Sequence, residues 1–200
     1  MMKKEIEAKF LNVNFDDVRI KLKNLGAVCE QPMRLMTRVI MDTPDYRLRE
    51  DGGYIRVRDE GNKATLTYKR FDKTQDLHIA SAEEIEVIVD NLEDTVDILA
   101  KTGLIIRSRQ ESKRETWKLG KVEIVLDEWP WLNPYIEIEA EDETQVKSAA
   151  INLGFDWNDA VFGDVMVAYR AQYPHLGPQQ TVGRIQEVRF GDPLPDIFKQ

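Results

Sequence analysis

Glu5, Glu7 and Lys9 stand at alternate positions in the run Glu5-Ile6-Glu7-Ala8-Lys9-Phe10, with apolar residues between them. Successive side chains of an extended strand point to opposite faces, so the three ionic groups share one face and Ile6, Ala8 and Phe10 the other. The same alternation returns at Arg56/Arg58, Glu84/Glu86, Glu123/Asp127 and Glu137/Glu139, each on a run rich in Ile, Val or Leu. A solvated surface strand alternates in this way too, and one such segment alone says nothing about function. A surface needs charge, but it does not need acids and bases sorted onto separate strands. Grouped guanidinium and ammonium groups hold oxyanions, and grouped carboxylates hold hard cations.

The elements that must position these groups follow from periodicity and turn chemistry. Asn14 offers a helix N-cap, and Val18, Leu22 and Leu25 recur at helical spacing until Gly26. Residues 27–42 suit a long strand with Arg34, Met36, Arg38 and Ile40 on one face. Asp42-Thr43-Pro44-Asp45 and the pair Gly52-Gly53 are turn residues, so a strand restarts at 54–58. A turn at 59–63 returns it through 64–69, a hairpin that carries Arg56, Arg58 and Lys69. Residues 71–82 are polar and read as a loop holding His78, and residues 82–89 resume a strand. Leu92, Val96, Leu99 and Ala100 mark a second amphipathic helix that ends near Gly103. Residues 105–118, 120–129 and 134–141 form an antiparallel meander, after which Thr144 caps a third helix ended by Gly154. Residues 162–169 read as short helix or irregular chain. Beyond Tyr173-Pro174 a tail rich in Pro, Gly and Gln holds one strand-like run, 181–190. Capping a barrel end, pairing with a second subunit and partial disorder are its three readings.

Two hundred residues, 42% hydrophobic and 32% charged, describe one globular domain with an appendage. A formal net charge of -8 speaks against nucleic-acid binding through a general basic surface. The single cysteine, Cys29, forms no intramolecular disulfide and builds no cysteine metal site. With no signal-peptide run and no apolar span of membrane length, the expectation is a cytoplasmic protein without a membrane partner. Two histidines, His78 and His175, sit in turn-like sequence and support no Ser-His-Asp or Cys-His site. Trp117, Trp129, Trp131 and Trp157 lie on strand ends and turns, where core or rim packing is expected in preference to base stacking or substrate contact.

Taken in order, these motifs resemble the CYTH superfamily, the triphosphate tunnel metalloenzymes, which include class IV adenylyl cyclases, thiamine triphosphatases and inorganic triphosphatases. The resemblance covers roughly residues 3–170. It is carried by Glu5-x-Glu7-x-Lys9; by Asp42-Thr43-Pro44-Asp45, Leu48 and Gly52 followed by Arg56-x-Arg58 and Lys69; and by Glu84-x-Glu86. The basic run 110–117 with Arg114, then Val125-Leu126-Asp127, then Glu137-x-Glu139 complete it. One departure is Arg38-Val39-Ile40-Met41, which adds a base and lacks a tyrosine hydroxyl where relatives often carry an acid and a Tyr.

The resemblance implies an α+β fold: an antiparallel barrel of about eight strands over residues 1–173 with amphipathic helices outside, and a C-terminal extension, 174–200, of no assigned role. It implies a lumen in which Glu5, Glu7, Lys9 and Arg114 are catalytic. Lys9, Arg38, Arg56, Arg58, Lys69 and Arg114 would hold triphosphate oxygens, and Glu5, Glu7, Glu84, Glu86, Asp127, Glu137 and Glu139 a Mg2+ or Mn2+ ion. Without metal the acids should repel one another and hold protons at raised pKa. The expected partner is a small molecule containing a triphosphate; a homodimer is compatible. Hydrolysis of inorganic triphosphate, ATP or thiamine triphosphate, cyclisation of ATP to cAMP, and non-catalytic binding of polyphosphate or nucleotide all remain open.

Overall fold

The structure is a computed structural model that describes residues 3, 4, 6–71 and 82–199. Glu5, His78 and most of the loop expected at 71–82 lie outside the described residues. The chain runs β1 (Lys3–Lys4), β2 (Ile6–Leu11), α1 (Phe15–Asn24), β3 (Val28–Asp42), α2 (Arg47–Glu50), β4 (Gly53–Asp59), β5 (Ala64–Phe71) and β6 (Ala82–Val89). It continues through α3 (Leu92–Lys101), β7 (Ile105–Leu119), β8 (Val122–Glu128), β9 (Tyr135–Ala140), α4 (Glu143–Asn152), α5 (Met166–Gln172) and β10 (Glu187–Val188). The sheet order is β1-β6-β5-β4-β3-β7-β8-β9-β2, all antiparallel, with β10 added in parallel to β7. The order begins and ends on β1 and β2, neighbours in the chain, so the sheet curls back toward its own start. This is the antiparallel barrel-like α+β fold expected from the sequence.

Alternation sorts the two faces. Glu7 and Lys9 look into the curl, while Ala8 and Phe10 pack outward on α1 and α4 through Val18, Leu22, Val146, Ala149, Ala150 and Leu153. On the opposite wall Val39, Met41 and Val57 are covered by Leu92 and Val96 of α3. Asn14 caps α1 as expected, its Oδ1 accepting from the backbone N–H groups of Asp16 and Asp17 at 2.9 and 3.2 Å. The cap of α4 is Asp142 rather than Thr144, because the Asp142 carboxylate accepts from the Gln145 N–H at 2.9 Å and so starts the helix earlier.

Three amphipathic helices were expected, with short helix or irregular chain at 162–169, and five α-helices are present among the described residues; α2 and α5 are too short to show a helical period. Helix α2 is built by Asp42, whose carboxylate accepts from the N–H groups of Thr43, Leu48 and Arg49 at 2.7, 3.0 and 3.1 Å. Gly52 takes a positive φ of 84°, whereas Gly53 is required by crowding: a Cβ there would sit 3.0 Å from the Lys69 carbonyl oxygen. The expected strand at 181–190 shrinks to Glu187–Val188, preceded by a 3-10 turn at Val182–Arg184. The tail packs on one end of the barrel through Leu176, Val182, Val188 and Phe198, against Trp129, Tyr135 and Tyr169. Among the described residues no helix is long and apolar enough to cross a membrane.

Candidate functional site

The curl encloses a cavity of about 770 Å³, lined by side chains from β2 through β9. Strand register places its charges in rows. Glu7 on β2 lies opposite Glu139 on β9, which lies opposite Glu123 on β8. In the next row Lys9 faces Glu137, and beyond it Asp127 has Tyr135 on one side and Arg114 on the other. The β3 strand brings the bases of the other wall together: Arg38 is opposite Arg58, and Arg34 is opposite Arg114. Like charges directly opposite in a sheet are destabilising.

Lys9, 1% exposed, is 2.7 Å from Glu7 and 3.2 Å from Glu137. Burial acts most strongly on its ammonium and would lower its pKa, but Glu137 and Glu7 outweigh it and hold the group above the ordinary lysine range. Arg114 grips Asp127 with two hydrogen bonds, 2.7 Å from Nε and 2.5 Å from Nη2, and reaches Glu137 at 2.9 Å. Burial would raise the Glu137 carboxyl, yet Lys9 and Arg114 pull it down to about 2. Asp127 behaves in the opposite way: burial first, and then the charge of Glu137, hold it above the usual carboxylate range. The expectation that the acids hold protons therefore fails at Glu137, because two cations already neutralise it.

Compensation is thinner on the other wall. Arg56 has Glu84 at 3.7 Å and Glu86 at 3.6 Å, Lys69 has Glu84 at 3.3 Å, and Arg58 pairs with Glu60. Burial, with Glu7, Tyr54 and Glu84 opposing it, leaves the Lys69 ammonium above its ordinary range. Glu84 and Glu86 thus stand with the bases of β4 and β5. Arg38 donates to Ser112 Oγ and lies 4.4 Å from the ring centroid of Trp129, with no carboxylate in ion-pair contact among the described residues. Burial, then the charges of Arg58, Arg56 and Arg114, lower its pKa to about 9. Burial and Arg56 bring Arg58 to about 10. The Nε atoms of Arg38, Arg56 and Arg58 are all buried without a hydrogen-bond partner.

The structure therefore gathers Glu7, Lys9, Arg38, Arg56, Arg58, Lys69, Glu84, Glu86, Arg114, Glu137 and Glu139 around one cavity, whereas Asp127, expected there as a metal ligand, is buried behind the lining with both carboxylate oxygens bound by Arg114. Glu5 lies outside the described residues. Sequence reasoning missed Arg34, Glu60 and Glu123 as site residues. Arg34 was readable, since it shares the β3 face with Arg38, and Glu123 shares its face with Asp127. Glu60 was hidden in an apparent turn; it is buried and binds Arg58, Arg34 at 3.5 Å and Lys63 at 3.9 Å. Trp129 is buried beneath Arg38 in the wall of the cavity, and Trp131 leans on Phe198 of the tail.

Among the described residues no three acidic, histidine or cysteine groups are gathered into a ready metal site. The donor set nevertheless suits a hard divalent cation in type, since the row Glu7, Glu139 and Glu123 offers only carboxylate oxygens from adjacent strands.

No curated protein matches the sequence. Solved structures share the fold. The PH1012 protein of Pyrococcus horikoshii is 24% identical with a TM-score of 0.64, over 78% of this chain and 93% of its own. A proposed adenylate cyclase of Vibrio parahaemolyticus is 16% identical with a TM-score of 0.72, over 84% and 99%. A Hippeastrum protein described as a proposed adenylyl cyclase with a dominant triphosphatase activity is 16% identical with a TM-score of 0.58, over 87% and 98%. Residues 3–158 match the CYTH domain, and the chain belongs to the CYTH family.

Proposed function

We propose that this protein is a divalent-metal-dependent triphosphatase that takes a triphosphate chain into the cavity. Membership of the CYTH family supports a triphosphate-related activity. The observation that carries the reading is the pair of arginine juxtapositions, Arg38 with Arg58 and Arg34 with Arg114, together with the unpartnered buried Nε–H groups of Arg38, Arg56 and Arg58. Facing guanidinium groups repel, and buried donors without acceptors cost about 1–3 kcal/mol each. Phosphoryl oxygens remove both penalties at once.

In this reading Arg38, Arg56, Arg58 and Lys69 hold one side of the chain of phosphates, and Lys9 and Arg114 the other. Lys9 stays protonated, so it stabilises charge and does not act as a base. Glu137, ionised at neutral pH, orients Lys9 and Arg114 and moves no proton itself. Glu7, Glu139 and Glu123, with Asp127 nearby, are the residues that would hold Mg2+ or Mn2+. Such an ion polarises a phosphoryl oxygen and lowers the pKa of bound water.

The test is a product assay with inorganic triphosphate, ATP, thiamine triphosphate and GTP, each with Mg2+, Mn2+ or EDTA. Release of orthophosphate from at least one substrate, abolished by EDTA and cut roughly a hundredfold or more in Arg58→Gln, is expected. Formation of cAMP from ATP without orthophosphate would establish a cyclase instead, and tight binding without turnover a binding protein.

A further inference from the structure

We infer that the end of the tunnel covered by the C-terminal tail holds a second anion subsite, made by Arg49, Arg107 and Arg184 around Tyr46, that takes a phosphoryl group beyond the third. The inference rests on the triphosphate reading above. Tyr46, Arg49 and Arg107 line the cavity at this end, beside Thr181, Val182 and Gly183 of the tail. The Arg107 guanidinium lies 3.4 Å from the Tyr46 ring centroid, and that of Arg184 lies 5.9 Å from it.

These three arginines are held by neutral groups. Arg49 Nη2 donates to Thr181 Oγ1 at 2.6 Å, and Arg184 Nη2 to Gln179 Oε1 at 2.7 Å. Arg107 Nη2 donates to the carbonyl oxygens of Thr43 and Pro44. Among the described residues no carboxylate is in ion-pair contact with any of them. The nearest acid in the turn, Asp42, is occupied by backbone N–H groups. Arg107 Nε is buried and has no hydrogen-bond partner, as do the Nε atoms of Arg38, Arg56 and Arg58 deeper in the tunnel. Burial and then the charge of Arg184 hold the Arg49 pKa below the ordinary arginine range, outweighing Tyr46, Asp164 and Asp42, which act the other way.

Length makes the second half of the argument. Along the β3–β7 pair the bases form a ladder: Arg34 with Arg114, then Arg38 beside Gln110, then Ile40 joining Arg56 to Ser108, and then Arg107, which an irregularity in the register between Ser108 and Ile106 leaves without a partner on β3 and which lines the cavity. Arg114 to Arg107 is seven residues of strand, roughly 23 Å at about 3.3 Å per residue. Three phosphoryl groups in line are shorter than this ladder. The last rung also has a wall of its own, because Arg184 and the 181–183 turn lie beyond residues 3–158 that match the family domain. A tail that only closed the barrel would not need to set a guanidinium beside two others. The extra phosphoryl group has two sources, the fourth phosphate of a linear chain or a phosphate on the organic part of a nucleoside triphosphate.

The experiment is calorimetric binding to the full chain in EDTA, so that no turnover intervenes. Inorganic tetraphosphate is compared with inorganic triphosphate, and a 3'-phosphorylated nucleoside triphosphate with its unphosphorylated parent. The longer anion of at least one pair should bind roughly tenfold or more tightly, the size of one charge-assisted hydrogen bond to an arginine. That ratio should fall at least about threefold in Arg184→Gln and in Arg107→Gln. Arg184 is exposed, so its substitution leaves the fold intact, which melting temperature verifies. A ratio near one in both pairs, or a ratio unchanged in both variants while triphosphate still binds, overturns the second subsite alone. If triphosphate itself fails to bind, the triphosphate reading falls and the subsite falls with it.

Discussion

Glu137 is the side chain on which the acidic wall depends, since it touches both Lys9 and Arg114. Removing its charge leaves Lys9 with Glu7 alone and Arg114 with Asp127 alone, so the cost lies at the low end of the roughly 3–5 kcal/mol of breaking a buried pair. We predict that Glu137→Gln lowers the stability of the metal-free protein by about that amount, measured by urea unfolding. The folded pKa of about 2 lies below that of a free glutamate. Its contribution is therefore complete above about pH 5 and is lost as the pH falls toward 2. The wild-type acid limb should be steeper than that of Glu137→Gln over that window; parallel limbs would refute the assignment. The faces of Glu7, Lys9, Arg56, Arg58 and Glu137 were legible because strand alternation has a period of two. Their partners were not, because pairing depends on register between strands far apart in sequence. Arg114 and Asp127, assigned separate duties from sequence, prove to be bonded to each other.

At the scale of elements, the tail is what local sequence did least to reveal. Its anchor is Phe198, whose ring lies 4.8 Å from Tyr173, 5.3 Å from Tyr169 and 5.8 Å from Trp131, centroid to centroid. Phe198→Ala should cost about 3–5 kcal/mol, as large-to-small core substitutions of Phe do, and should expose the 181–189 backbone to hydrogen exchange. Loss of under 1 kcal/mol would mean that the tail is held elsewhere. Its strand was overestimated because only Glu187 and Val188 find partners on β7, one edge of which is paired with β3 while the other is taken by β8 from Lys113 onward. The long strands and the helices α1, α3 and α4 were legible, having enough residues for a period to show. Helix α2 was not, since a single turn arises from the side chain of Asp42 and not from any apolar pattern.

Seen whole, a chain of net charge -8 folds around a lumen in which guanidinium groups face one another. Ligand binding and stability are therefore linked. Inorganic triphosphate in EDTA, at a hundred times its dissociation constant, should add about 2.7 kcal/mol. For a chain of this length that is roughly 5–10 °C of melting temperature. Arg58→Gln should lose most of the increment, and an equal shift in both proteins would place the binding outside the tunnel.

The return of the sheet onto β1 and β2 also governs how the molecule is made. Phe10 pairs with Ile136, and Ile6 with Ala140, so β2 leaves the ribosome well before β9 and must wait for it. Its outward apolar face, Ala8 and Phe10, has only Val18 and Leu22 of α1 for cover until α4 arrives through Val146 and Leu153. During that interval an unpaired strand with one apolar edge is available to other nascent chains, and closing so long a loop is slow. The enclosure that keeps a ligand from water is thus the last part of the protein to come into being, and its assembly is where expression is most exposed to aggregation.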